Sequence, residues 1–258
     1  MLNFKSTATG CLIFSLFTIT IFNSTHAATL TPNQKADVDH IIQLFQHPNP
    51  EAIAKNIEYP LQRQYPIPSV ENSTEFTERF KQIFDQTLIL NIAQSKPSQW
   101  TDMGWRGVML DNGKVWLQNN KISAINYQSD VEKNIQKRLI QQQSNMLHSS
   151  LKKFEQPVMV FKTTKYLIRI DALKNGQYRY ASWKIGKSQA SKPDLVLNHG
   201  QIQFDGSGGN HHYQFKSGAY IYIVDRNVLS PDDTADVFLR VEKNHKSILN
   251  EDGRLISN

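Results

Sequence analysis

The chain has 258 residues, of which 39% are hydrophobic and 20% charged, with 12 Gly and 10 Pro. That balance belongs to a folded protein and excludes a wholly disordered, collagen-like or multi-span membrane chain. The length suits two ordinary domains, and a formal charge of +6 makes a mildly basic surface, not a polycation built for nucleic acid.

Lys5, the apolar run over residues 11–22 and the small residues around Thr25-His26-Ala27 have the pattern of a secretory signal. About 12 apolar residues fall short of the roughly 20 that span a bilayer. Residues 1–27 are therefore expected to be a cleaved signal peptide, with the mature chain starting near Ala28 and not spanning a membrane. Cleavage removes one lysine and no acid, so +6 becomes +5. The single cysteine, Cys11, lies in the signal, so the exported protein has no disulfide, no thiol nucleophile and no cysteine ligand for zinc. Its core must hold it together. These features place it in a bacterial periplasm.

Thr31-Pro32-Asn33-Gln34 carries an N-cap, a proline at the first helical position and a capping-box glutamine, ahead of Val38, Ile41, Ile42 and Phe45 at helical spacing. Asn49-Pro50 repeats the start signal for a short helix with Ala52, Ile53 and Ile57. Residues 59–68, with three prolines, are expected to be extended. Ser73 is expected to cap one longer helix whose stripe is Phe76, Phe80, Ile83, Phe84, Leu88 and Ile92, ending at Ser95-Lys96-Pro97. Beyond Trp100 the period changes. Residues 104–110, the turn Asp111-Asn112-Gly113 and residues 114–117 read as a β-hairpin, followed by a third strand at 122–127.

A helix is expected over residues 130–154, with Ile135, Leu139, Met146, Leu147 and Leu151 as its apolar stripe, connecting two domains at 28–129 and 156–258. From Pro157 the chain reads as short aromatic and β-branched strands at 158–162, 166–170, 178–183, 195–197, 202–204, 212–215, 220–224 and 237–241. Such regular spacing predicts an antiparallel β sandwich or barrel.

Three helices, a proline-bearing link and then the hairpin Gly107-Val108-Met109-Leu110-Asp111-Asn112-Gly113-Lys114-Val115-Trp116 resemble the NTF2-like (SnoaL-like) proteins over residues 30–128. The resemblance implies an α+β cone, helices packed on a curved antiparallel sheet, whose mouth holds a small ligand. Catalytic members place an Asp and a His inside the cone, whereas the histidines here are His40 and His47, near the first helix. That departure argues against an enzyme. Tyr59, Trp100, Asp102, Trp105, Arg106 and Trp116 are the candidate cone-pocket residues, because ligand pockets join aromatic walls to a few polar groups.

In the second half, Phe204-Asp205-Gly206-Ser207-Gly208-Gly209-Asn210-His211-His212-Tyr213 resembles the Ser-Gly loop, with its nearby tyrosine, of periplasmic lysozyme inhibitors. The resemblance implies that Ser207 enters a target's cleft beside Tyr213, and it makes Ser207, Gly208, Asn210, His212 and Tyr213 the candidate protein-contact residues. The loop lacks the order of a serine-hydrolase elbow. His211 and His212 are neighbours on a strand and point to opposite faces, so they cannot share a metal. No catalytic residue, metal or cofactor is assigned. The expected function is noncatalytic periplasmic binding, with protein contact through the glycine-rich loop. The alternatives are an inhibitor or immunity-type protein against a lysozyme-like cell-wall hydrolase, and a small-molecule enzyme using the cone pocket. The expected partners are a periplasmic protein or a small ligand, not nucleic acid.

Overall fold

The computed structural model describes residues 29–206, 209–228 and 234–256. The segment expected to be a signal peptide, with Cys11, and Ser207 and Gly208 of the glycine-rich loop lie outside the described residues. Helix α1 (Pro32–Gln46) opens on the expected capping box: Thr31 Oγ1 accepts from the Gln34 amide at 3.3 Å and Gln34 Oε1 accepts from the Thr31 amide at 2.8 Å. Helix α2 (Pro50–Ala54) is capped by Asn49, whose Oδ1 accepts from the Ala52 amide at 2.8 Å.

The single long helix expected from Ser73 is two helices. Asn72 caps α3 (Ser73–Ile83), and Asp85 caps α4 (Gln86–Ala93), its Oδ1 accepting from the Leu88 amide at 2.9 Å. A carboxylate that satisfies the free amides of a helix start ends the preceding helix while beginning the next. Phe84 between them is extended, yet it stays buried with Phe76, Phe80, Leu88 and Ile92. Residues 59–68 are not simply extended either. Leu61 and Val70 exchange backbone hydrogen bonds at 2.8 and 2.9 Å, closing residues 62–69 into a proline-bearing loop.

Strands β1 (Trp100–Asp102), β2 (Val108–Leu110), β3 (Val115–Gln118) and β4 (Lys121–Ile125) form an antiparallel sheet in sequence order. The cone expected for this region is not formed. The strands are three to five residues long, too short to curve round a mouth, and a 3-10 turn at Gly104–Arg106 interrupts the expected first strand. The face that a cone would leave open is filled: Val108, Leu110, Val115, Leu117, Ile122 and Ile125 join the helix residues in one buried cluster.

The C-terminal part is an eight-stranded closed barrel, which decides between the two β architectures. Strands β5 (Gln156–Lys162), β6 (Tyr166–Ala172), β7 (Tyr178–Lys184), β8 (Leu195–Phe204), β9 (His211–Ser217), β10 (Tyr220–Arg226), β11 (Val237–Lys243) and β12 (Lys246–Leu255) pair antiparallel in sequence order. Closure is by Arg254↔Lys162 and Leu255↔Phe161, with the Ile256 amide donating to the Val160 carbonyl at 2.8 Å. Segments 195–197 and 202–204 are one strand, broken in register near His199, which takes a positive φ of 63°. Phe161, Ile168, Ile170, Tyr180, Phe215 and Leu239 fill the interior, as side chains do in barrels of this size. Gln203, His212, Gln214, Arg240, Asn250 and Asp252 alternate outward.

The connecting segment is shorter than expected. Helix α5 (Asp130–Met146) stops at Leu147, and a 3-10 turn at Ser149–Leu151 follows. Of the expected apolar stripe, Leu147 and Leu151 are buried, Ile135 and Leu139 half-buried and Met146 66% exposed, while the buried residues within the helix itself are Glu132, Gln136 and Gln143. These three polar side chains are inside because their partners are polar, whereas Gln141 and Gln142 are exposed. Arg63 Nε donates to Glu132 Oε1 at 2.8 Å, Gln136 Nε2 to the Tyr65 carbonyl at 3.0 Å, and Gln143 Nε2 to the Tyr65 hydroxyl at 3.3 Å. Gln143 Oε1 in turn accepts from Arg169 Nη1 at 3.1 Å. Arg169 belongs to a buried triad on the outer barrel wall, with Asp171 between it and Arg179. Among the described residues no helix is long and apolar enough to cross a membrane.

Candidate functional site

The six residues proposed for a cone pocket do not converge. Trp100 is core, its Nε1 donating to Ser95 Oγ at 3.0 Å. The Tyr59 hydroxyl donates to the Ala54 carbonyl at 3.0 Å, its ring packs edge-on to Phe76, and burial pushes its pKa up to about 12. Asp102 caps the turn below it by accepting from the Gly104 amide at 2.9 Å. Trp116 lies on the sheet face opposite the helices, under the Arg106 guanidinium at 5.8 Å, and Trp105 is 65% exposed.

The glycine-rich loop joins β8 to β9. Asp205 anchors it, its amide donating to the Asn210 carbonyl at 2.8 Å and its carboxylate meeting His212 Nδ1 at 3.1 Å. Asn210 Oδ1 accepts from the Val228 amide at 2.8 Å. Tyr213 is directed the other way: it is 4% exposed inside the barrel, its ring edge-on to Tyr178 at 4.8 Å. The loop can present Asn210 and His212 to a partner, but it withholds the Tyr213 ring.

What the structure brings together instead is a cavity of about 420 Å³ between the proline loop and the adjacent end of the barrel. Volumes of roughly 300–1,000 Å³ suit small-molecule ligands. Pro66, Ile67 and Pro68 form one wall and Val158, Met159 and Leu255 the other. The polar groups come from the inward positions of β9 and β10, where His211 pairs with Arg226 and Tyr213 with Val224. His211 Nδ1 donates to the Gly209 carbonyl at 2.8 Å, since a carbonyl can only accept; the ring stands edge-on to Tyr213 at 5.3 Å.

Arg226 is half-buried. Its Nη1 donates to the Asn227 carbonyl and, at 3.1 Å, to the Asp236 carbonyl, and it makes no ion pair among the described residues. Burial holds its pKa below the ordinary arginine value, with Asp236 and then Tyr213 acting the other way. The Tyr213 phenol is pushed above its usual value by burial, then by Tyr178, while Arg226 opposes the shift. Arg63, also in the lining, is neutralised by Glu132, and among the described residues no Asp or Glu lines the cavity.

A second cavity, of about 370 Å³, opens at the far end of the barrel among Tyr166, Tyr180, Tyr220, Tyr222, Leu195 and Ile248. Glu251 faces inward opposite Leu239, and Lys165 reaches it at 2.7 Å. Among the described residues no group of three His, Cys, Asp or Glu is placed to hold a metal ion.

No family model, curated protein or solved structure matches the chain. Sequence reasoning missed Arg226 because it reads as the polar end of a strand. The one available signal was the inward period, Tyr220, Tyr222, Val224, Arg226, which puts a cation where an apolar residue belongs.

Proposed function

We propose that the protein is a noncatalytic binding protein of the periplasm that holds a small molecule at the loop-facing end of its barrel. The observation that carries this reading is the cavity of about 420 Å³, apolar on both walls and supplied with a few convergent polar groups, the combination typical of ligand sites. Phe161, Ile168, Ile170 and Phe215 fill the barrel behind this cavity, so the ligand is placed at the barrel end.

The test is binding of the neutral apolar dye N-phenyl-1-naphthylamine, read as a rise in fluorescence. Val158→Trp fills the cavity and is expected to abolish the rise while far-UV circular dichroism is unchanged. An equal rise in this variant refutes the site.

A second reading keeps the glycine-rich loop as a protein-contact surface against a cell-wall hydrolase. It is favoured by the anchoring of the loop through Asp205, His212 and Asn210, since a loop held on a rigid scaffold suits recognition. Inhibition of a lysozyme-type hydrolase, reduced by Ser207→Ala, is its expected outcome; no inhibition by the wild-type protein removes it.

A further inference from the structure

The geometry points to a specific ligand class for the loop-facing cavity: an amphiphilic anion, its acidic head held by Arg226 and its apolar body lying between the proline loop and the β5–β12 seam. The inference rests on the proposed binding role and goes beyond it by assigning charge and orientation to the ligand.

Four observations carry it. Arg226 occupies an inward barrel position and is half-buried, so its guanidinium is partly taken from water and gains from a counter-charge or further acceptors. It has neither in full. Both its hydrogen bonds leave from Nη1 and reach backbone carbonyls, so the Nε and Nη2 edge, the one that receives an acid in a two-pronged contact, makes no hydrogen bond among the described residues. The neighbouring Tyr213 hydroxyl also makes none and is a donor suited to the same head group. Among the described residues no carboxylate lines the cavity to compete for the guanidinium, and Arg63, also in the lining, is already paired with Glu132.

The rest of the lining selects the body of the ligand. Gln62, Tyr65, Ser69 and His211 add polar groups to the lining, but Pro66, Ile67, Pro68, Val158, Met159 and Leu255 offer no charge, so a free inorganic anion would leave this apolar part of the cavity unused. A methylene chain or aryl group would bury its surface there. A cationic amphiphile would meet Arg226 with like charge, and a neutral one would give the guanidinium edge only an uncharged acceptor, a weaker partner than an anionic oxygen.

The test varies the head group on one tail. Dodecanoate, dodecyl phosphate, 1-dodecanol, dodecylammonium and inorganic phosphate compete with N-phenyl-1-naphthylamine for the full mature chain, below the micelle-forming concentration of each. Dodecanoate and dodecyl phosphate are expected to bind at least about tenfold more tightly than 1-dodecanol, as charge-assisted hydrogen bonds suggest. Dodecylammonium and inorganic phosphate are expected to compete more weakly still. Arg226→Met should bring the two anions to the level of 1-dodecanol, each competition being read against the dye affinity of the variant itself, and Arg226→Lys should keep part of the preference. Tyr213→Phe is the second variant should Arg226→Met not fold, with a loss of severalfold for the anions alone.

Equal affinity for dodecanoate and 1-dodecanol in the wild-type protein overturns the anion assignment while leaving the binding reading intact. Dye binding that survives Val158→Trp overturns the reading itself. Tight binding of inorganic phosphate alone overturns the amphiphile and identifies a simple anion site.

Discussion

Asp171→Asn tests what holds the barrel wall to the connecting segment. Asp171 is fully buried and accepts from Arg169 Nε at 2.7 Å and Arg179 Nη2 at 2.6 Å. The two guanidinium-bearing side chains are only 2% and 6% exposed. Asparagine keeps the shape and removes the charge, leaving two buried cations with a neutral amide whose nitrogen must face one of them. Each charge-assisted hydrogen bond contributes about 1.5–3 kcal/mol, and breaking a buried ion pair costs about 3–5 kcal/mol. We expect a loss of about 3–5 kcal/mol. With a urea m-value near 2 kcal/mol/M, the midpoint falls by about 2 M. Unfolding is followed by tryptophan emission, to which the buried Trp183 on the neighbouring strand contributes, and in parallel by circular dichroism. A cycle with Arg179→Met should give a coupling of about 1.5–3 kcal/mol. A change under about 1 kcal/mol at constant m would refute the assignment of a structural charge to Asp171. The effect should persist in 0.5 M NaCl, because buried charges are poorly screened.

Three further outcomes follow from the geometry. Gly200→Ala places a Cβ about 2.1 Å from Phe215 Cε1 inside the barrel, and overpacking of this kind costs about 1–3 kcal/mol; an unchanged urea midpoint would show that the Phe215 ring can move away. Burial alone would raise the pKa of Glu251, but Lys165 and Thr163 outweigh it and hold it below the usual 4.5. Its contribution to stability is therefore complete above 4.5 and lost as pH falls through the lowered folded value. Glu251→Gln should flatten that acid slope, and parallel stability curves from pH 7 to 3 for the two proteins would contradict it. Glu132→Gln leaves Arg63 buried without its counter-charge, which should cost about 3–5 kcal/mol and weaken dye binding by displacing the proline loop; a stable variant with full dye affinity would separate the loop from the cavity.

The sequence disclosed what depends on local signals. The Thr31 capping box, the Asn49-Pro50 start and most barrel strands follow from caps and alternation that act within a few residues. The break at Asp85 is also local, but an apolar stripe continuous from Phe76 to Ile92 concealed it. Strand β12 was missed because its sequence, KSILNEDGRL, looks like polar turn. Its pairing is imposed by neighbours: Leu249 and Leu255 complete the interior, and Gly253 admits the Phe161 ring, whose Cδ2 would lie 2.7 Å from any added Cβ. The resemblance to a cone followed the order of elements, whereas the short strands and filled sheet face are properties of packing. For the candidate site, the Pro66-to-Arg226 cavity was not legible, because its walls are far apart in sequence.

Helix α5 explains why such a distant pair can form one site. Glu132 fixes Arg63, whose Nη1 and Nη2 also reach the Ile125 and Tyr127 carbonyls at 2.5 and 2.8 Å, and Gln136 and Gln143 fix Tyr65. Gln143 passes the connection to Arg169, and the Asp171–Arg179 pair carries it to the Leu151 and Lys153 carbonyls at 2.7 and 3.1 Å. An apolar stripe would allow the helix to slide and repack, because apolar contact is non-directional. A chain of directed, buried hydrogen bonds has few alternatives of equal energy. The proline loop is thereby held along the helix from Glu132 to Gln143 and the barrel wall at Gln143, so one rigid element fixes both sides of the cavity.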